Sequence, residues 1–218
     1  MNEPAQDAGR VLLINKPLTW TSFDVVNKLR KKLKTKKIGH AGTLDPLATG
    51  LLIICVGKMT KRIEEFMGQE KEYTGKFVLG KSTPSHDLET AVSEEKDIST
   101  ITDERILAAT LPFIGKIQQL PPLHSAIKIG GVRAYEYARK GKHIELATRE
   151  VEVREFEITC IALPEVNFRI VCSKGTYIRS IARDFGQALQ VGAYIGELCR
   201  TRIGAFTLDQ AIAVEQVE

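Results

Sequence analysis

The longest uninterrupted apolar run of the chain, LLIICV at residues 51–56, constrains the fold more than any other feature. It is far shorter than the roughly 18–20 apolar residues that a transmembrane helix requires, so it predicts an apolar strand inside a folded protein. The polar, glycine-punctuated segment GHAGTLDPLATG, at residues 39–50, leads directly into this strand. Because loops on a rigid scaffold often carry reactive side chains, residues 39–50 are the first candidate for a functional site.

Composition places the chain among ordinary globular proteins. Of 218 residues, 43% are hydrophobic and 27% are charged, which argues against the disordered and fibrous classes. The sequence has no candidate membrane span or secretion signal, so we expect a cytoplasmic protein without membrane association. Residues 1–9 read as a loose tail, and no linker is evident in residues 10–218, which predicts one folded domain there.

The basic residues are concentrated in one stretch. The net charge is only +4, but residues 28–37 carry seven cations and no acid. These cations are Lys28, Arg30, Lys31, Lys32, Lys34, Lys36 and Lys37. Such a stretch is typical of a protein that binds a polyanion, and charge alone explains it equally well as a solvated helix face.

Four cysteines, Cys55, Cys160, Cys172 and Cys199, show neither C-x-x-C spacing nor a histidine at metal-ligand spacing. A zinc site is therefore not expected. Each cysteine lies in an apolar or strand-like context, so we predict four buried thiols in a reducing compartment.

The apolar periodicity predicts an α+β chain with a mixed, mainly antiparallel sheet flanked by helices. Thr21 and Asp24 form a capping box before a helix that carries the basic stretch on its outer face. Alternating residues predict strands at 71–79, 151–160 and 166–172, of which the last two pair antiparallel. Further helices are predicted at 60–67, after Thr102, near 135–141, after 174–176 and after Thr207, and a further strand is predicted to end at 130–131.

The loop at residues 39–50 offers His40 and Asp45 beside three glycines. Asp45 precedes Pro46, which favours an extended backbone that can project the carboxylate from the rim of the loop. The spacing alone leaves two interpretations open: a reactive carboxylate, or an aspartate that forms a turn beside a proline.

Four segments of the chain are distinctive: LLINKP, GHAGTLDPLATGLL, KEYTGKFVLG and SKGTYIRSIARDFG. In this order they resemble the bacterial tRNA pseudouridine synthase B (TruB) family, whose members isomerise uridine 55 in the T-loop of tRNA. The resemblance covers residues 10 to about 206. It implies the pseudouridine synthase fold, a tRNA partner, an isomerase without cofactor or metal, and Asp45 as its catalytic aspartate.

The resemblance implies two further catalytic residues. Tyr73 matches the tyrosine that lies against the uracil ring, although an ordinary inward strand aromatic would look the same in sequence. Arg179 matches the arginine that pairs with the catalytic carboxylate, which a guanidinium can orient and keep ionised. Asp87 aligns with an acidic loop position of the family, but the surrounding STPSHDLE departs from the commoner form and leaves its role open.

Other matching positions are expected to bind the substrate or support the binding loop. His40 matches a histidine that enters the T-loop where the target base leaves its stack, and Leu198 matches a leucine beside the uracil. Lys16 belongs to a motif that packs beneath the active site. The whole expected set is His40, Leu198, Lys16, Gly42, Thr43, Lys31 and Lys32.

The chemistry requires a break of the N1–C1′ bond and formation of a C5–C1′ bond. A carboxylate could attack ribose C1′, remove a C2′ proton or attack uracil C6, and the sequence leaves these routes open. The alternative functions are a non-catalytic tRNA chaperone and a dyskerin-like synthase directed by guide RNA. A glycosidase is less favoured, because no second carboxylate is evident near Asp45.

An insert at about residues 123–151 is flanked by glycines and is basic around Arg133, Arg139, Lys140 and Lys142. We expect it to fold over the RNA. The sequence ends at Glu218 without the PUA-type C-terminal domain of many family members, which leaves two interpretations open: a short-form enzyme or a catalytic fragment. We expect weaker binding of the acceptor arm, because fewer phosphates are contacted, and we expect a monomer.

Overall fold

The computed structural model describes residues 9–123, 125, 128–129, 132–133, 137 and 146–218. The helices in this part of the chain are α1 (Ser22–Lys32), α2 (Ile63–Gly68), α3 (Asp103–Ala108) and α4 (Ile178–Ala188). The strands are β1 (Arg10–Lys16), β2 (Ile38–Ala41), β3 (Ala48–Val56), β4 (Lys71–Leu79), β5 (Lys81–Ser82), β6 (Glu94–Glu95), β7 (Gly115–Gln119), β8 (Lys128–Ile129), β9 (Val132–Arg133), β10 (Arg149–Ala162), β11 (Glu165–Cys172), β12 (Ala193–Ile203) and β13 (Phe206–Thr207).

The chain divides into two compact units. Unit 1 comprises Met1–Thr74 and Glu197–Glu218, and unit 2 comprises Gly75–Gly196. The boundary falls inside β4 and again inside β12.

Strand β3 is the centre of unit 1. It pairs antiparallel with β1 and β2 and parallel with β12, so this sheet is mixed. Alternate residues of the apolar run enter two cores: Leu52 and Ile54 pack with α1, whereas Leu51 and Ile53 pack with Phe66 of α2. Since successive side chains of a strand point to opposite faces, a strand covered on both faces must be apolar throughout. The predicted buried strand is confirmed and begins earlier, at Ala48.

Helix α1 begins as its capping box predicts. Thr21 Oγ1 accepts a hydrogen bond from Asp24 N at 3.0 Å, and Thr21 N donates to the Asp24 carboxylate at 2.8 Å. Val25, Val26 and Leu29 are buried, and the neighbouring lysines point to solvent. The amphipathic pattern of the sequence therefore places the basic residues on an exposed face.

In unit 2, strand β10 pairs antiparallel with β11 on one side and with β7 on the other. Its core contains the mutually contacting rings of Phe77, Phe113, Phe156, Phe168 and Phe185, the last of these from α4. The predicted hairpin and the predicted helix after 174–176 are both confirmed. With the mixed sheet of unit 1, they confirm the α+β class.

Several sequence predictions were wrong in detail. The loop at 39–50 is shorter, because His40 already lies in β2 and Ala48 in β3. The helix predicted at 60–67 is a 3-10 turn (Gly57–Arg62) followed by α2. Cys160 is exposed on β10 and Cys199 is half-buried, so only two of the four thiols are buried. Strand β7 was not predicted, because its sequence GKIQQ carries a single large apolar residue.

Most of the predicted insert lies outside the described residues, as do Arg139, Lys140 and Lys142. Of the helix predicted near 135–141, only Tyr137 is described, and it is helical. The pair β8 and β9 lies within the insert. Among the described residues, no helix is long and apolar enough to cross a membrane.

Candidate active site

Asp45 lies half-buried in a short connection between β2 and β3, and the start of α1 anchors that connection. The buried Ser22 hydroxyl donates to the Leu44 carbonyl at 3.1 Å and accepts from Leu44 N at 2.8 Å. On the other side, the Asp45 carbonyl accepts from Ala48 N at 3.1 Å. Backbone groups of Leu44 and Asp45 therefore anchor the loop immediately before and at Asp45. We call residues 42–47 the Asp45 loop.

Lys16 is fully buried at the end of β1. Its ammonium donates to the carbonyls of Pro17 at 2.9 Å, Trp20 at 2.6 Å and Pro46 at 3.3 Å. All three N–H groups are thus directed at backbone, and one of the acceptors directly follows Asp45. Burial lowers the pKa of Lys16 from 10.5 to about 8; the Asp45 charge opposes this shift and the Arg200 charge adds to it.

The Lys16 pKa predicts how stability depends on pH. Between about pH 8 and pH 10.5 the unfolded chain holds a proton on Lys16 that the folded chain has released, so the free energy of unfolding rises with pH in that window. Below about pH 8 both states are protonated and the full cost of burying the charge is present. From pH 7 to pH 9.5 we expect wild type to gain about 1–2 kcal/mol relative to Lys16→Met. Urea unfolding followed by the fluorescence of Trp20, the one tryptophan, measures this difference; parallel pH profiles of the two proteins would contradict it.

His40 is half-buried on β2, opposite Ile54 of β3. Burial lowers the pKa of its imidazole, a hydrogen bond with the Gly42 backbone partly opposes the shift, and the Arg200 charge adds to it. The ring is therefore neutral at pH 7. A neutral, planar side chain on a strand edge is suited to stacking against a base.

Leu198 and Tyr73 also belong to unit 1. Leu198 is half-buried on β12 and pairs in register with Ala48, at the end of the Asp45 loop. Tyr73 is a nearly buried residue of β4, with 9% of its surface exposed. Thr43 is exposed and Gly42 has a φ of +92°, a backbone conformation that favours glycine.

Arg179 and Asp87 form a buried ion pair within unit 2. Arg179 Nε lies 3.6 Å from Asp87 Oδ2, and the two side chains are 4% and 6% exposed. Arg179 Nη1 also donates to the Ser85 carbonyl at 3.3 Å, and Asp87 forms a bridge with Ile195. Asp87, whose role the sequence left open, is thus a direct partner of a predicted catalytic residue.

His86 precedes that aspartate in a strained conformation, with a φ of +60°. Its pKa is lowered to about 4, mainly by burial and in part by the charges of Arg183 and Arg179. It is therefore a neutral neighbour of the ion pair across the physiological pH range.

Arg200 was missed by the sequence analysis. It is 1% exposed on β12, and its guanidinium donates to carbonyls of the Asp45 loop. Its strand was not predicted because Glu197, Thr201 and Arg202 interrupt the apolar alternation. Among the described residues, no group of three or more His, Cys, Asp and Glu side chains could hold a metal ion.

The fold is similar to that of solved structures. The chain is 32% identical to one from the crystal structure of a Cbf5-Nop10-Gar1 complex, with a TM-score of 0.75 over 96% of this chain. It spans only 53% of that longer chain. A crystal structure of a pseudouridylate synthase is 15% identical, with a TM-score of 0.50 over 95% of this chain, and shares the fold alone. These likenesses define the class: this is a pseudouridine synthase fold, with an aspartate loop in its mixed sheet.

Closer relatives define the family. The model of the TruB family pseudouridylate synthase (N terminal domain) matches residues 30–178. The tRNA pseudouridine synthase B of Flavobacterium johnsoniae is 54% identical over 96% of this chain and 95% of the relative. That of Parabacteroides distasonis is 52% identical over 97% of this chain and 92% of the relative. The chain belongs to the TruB family of pseudouridylate synthases.

Proposed function

We propose that the protein isomerises uridine 55 to pseudouridine in the T-loop of tRNA. The observation that carries the proposal is Asp45, half-buried in a loop that Ser22 and Lys16 hold by its backbone, in a chain of the TruB family. The relatives named above are tRNA pseudouridine synthases, which favours tRNA over the guide-directed alternative.

The target uridine must leave its stack before its glycosidic bond can be reached. Neutral His40 fills the space that the base vacates, and Leu198 and Tyr73 lie against the uracil. Asp45 acts as an ionised carboxylate on the ribose or the base. The N1–C1′ bond breaks and the C5–C1′ bond forms. The C5 proton passes to water and N1 takes up a proton, so the reaction is an isomerisation that needs no oxidant or reductant. The pairing of Arg179 with the catalytic carboxylate stays a prediction.

The proposal is tested with a tRNA transcript tritiated at uracil C5. Purified protein should release one tritium per tRNA to water, and mapping should place the product at position 55. A transcript with cytidine at position 55 is the matched substrate control and should release none. Tight tRNA binding without tritium release would support the chaperone alternative and reject the proposal.

The exposed cations of α1 and its following loop are expected to lie along the RNA. Changing Lys31, Lys32, Lys34 and Lys36 to glutamate should lower tRNA affinity about 10-fold or more at low salt, because Lys and Arg contacts to phosphates supply salt-dependent affinity. Filter binding at several salt concentrations measures both the affinity and its salt dependence.

The control makes the same change of charge elsewhere. Its four substitutions to glutamate are at exposed positions outside α1: Lys61, Lys96, Lys116 and Arg154. If the two quadruple variants lose equal affinity, only the net charge matters and α1 is not on the RNA path.

The proposal also includes a monomer that acts in the cytoplasm. The cytoplasmic location is supported by the location of the tRNA substrate and by the four free cysteines, which fit a reducing compartment. Light scattering of the purified protein with and without tRNA tests the monomer.

A further inference from the structure

Arg200 is a buried cation whose hydrogen bonds, among the described residues, all go to backbone carbonyls. Its Nε donates to the Leu51 carbonyl at 2.8 Å, Nη2 to Gly42 at 3.2 Å and Nη1 to Thr43 at 3.5 Å. Among the described residues, no carboxylate lies within ion-pair distance of this guanidinium. Burying an arginine without a counter-ion is strongly unfavourable unless its hydrogen bonds are satisfied, so these three contacts determine where the side chain lies.

The neighbouring strand is shaped to receive this residue. Arg200 pairs in register with Gly50 of β3. A Cβ at Gly50 would lie 2.4 Å from the Arg200 carbonyl oxygen, and the φ of Gly50 is +100°. Only glycine at position 50 therefore allows β12 to approach β3 this closely. The Arg200 guanidinium can then extend beyond Ala48, the first residue of β3, to the Asp45 loop.

The Asp45 loop is held by buried cations on both sides of the aspartate. Arg200 binds the carbonyls of Gly42 and Thr43, which precede Asp45, and Lys16 binds the carbonyl of Pro46, which follows it. The two cations come from different strands, β12 and β1. We propose that Arg200 is a positioning residue for the proposed reaction: with Lys16, it fixes the backbone on both sides of Asp45 and so sets where the carboxylate meets the ribose.

The rigid fork of a guanidinium is what this role requires. Arginine presents five N–H donors on three nitrogens in one rigid plane, so it can bind carbonyls that lie apart from one another. The three donors of a lysine ammonium share one nitrogen at the end of a flexible chain. Gly42, with its positive φ, gives the loop other backbone conformations to adopt when the fork is lost. A displacement of about 1 Å at a reacting group can cost about 100-fold in rate.

The test compares Arg200 with Arg202, two residues further along β12. Arg202 is 27% exposed, and its guanidinium binds Glu70 at 2.8 Å and the Gly204 carbonyl at 3.1 Å. We expect Arg200→Met to lower the single-turnover rate of tritium release about 100-fold and Arg200→Lys about 10-fold, with tRNA affinity within about twofold of wild type. Arg202→Met and Arg202→Lys should keep the wild-type rate within about twofold.

The outcomes separate positioning from mere stabilisation. A residue that only stabilises the fold would lower the melting temperature but leave the rate at wild-type level well below that temperature, and this result for Arg200→Lys would overturn the inference. If Arg200→Met does not fold, Arg200→Lys alone decides. Because the inference rests on the proposed function, an inactive wild type would reject both; an active wild type with an equally active Arg200→Lys would reject the inference alone.

Discussion

Asp45→Asn is expected to lower tritium release from tRNA at least about 10³-fold, because asparagine can neither attack a carbon nor accept a proton as a carboxylate does. Asparagine has nearly the same shape as aspartate, and the backbone bonds of Asp45 and Leu44 that anchor the loop are kept in this variant. Affinity for tRNA should therefore stay within about twofold of wild type. Single-turnover assays with binding measured on the same preparations check both expectations.

Asp209→Asn is the matched control, because Asp209 is an exposed aspartate of the same unit. It should show the wild-type rate. Release by Asp45→Asn within tenfold of wild type would mean that another group carries the chemistry. Loss of tRNA binding in Asp45→Asn would mean that the carboxylate serves recognition, and the catalytic assignment would then lack support.

The second large effect is on stability. Arg179→Met should lower the free energy of unfolding by about 3–5 kcal/mol, because it leaves the buried Asp87 carboxylate without its charged partner. For a chain of this length that corresponds to a fall of about 10 °C in melting temperature. Thermal and urea unfolding of the purified variant measure both quantities.

Two comparisons isolate the buried charge. Arg183→Met removes an arginine one turn further along α4, whose pair with Asp184 is partly exposed, and should cost about 1 kcal/mol or less. Adding Asp87→Leu to Arg179→Met should restore most of the lost stability, since an apolar pair no longer buries an unpaired charge. If Arg179→Met and Arg183→Met were equally stable, the buried pair would not have the energetic importance assigned to it.

The sequence alone predicted the elements whose signals are local. The apolar run at 51–56 predicted a buried strand, and the structure explains its composition, because alternate residues enter separate cores on the two faces of β3. The capping box of Thr21 and Asp24 predicted the start of α1, because both of its hydrogen bonds join residues three positions apart. The four distinctive segments also predicted the family that the comparisons confirm.

The surroundings of the site were decided by contacts between residues far apart in the chain. Arg200 meets Gly42 across 158 positions, and Arg179 meets Ser85 across 94, so no local pattern could reveal either contact. The extent of the loop was decided in the same way: β2 takes His40 out of it by pairing with β3. Local periodicity reports which face of an element is buried, whereas the partner of a buried charge is chosen only when the strands and helices pack. The sequence therefore determined that an aspartate loop precedes a buried strand. The tertiary structure determined that Lys16 and Arg200 hold that loop, and that both charges are buried in doing so.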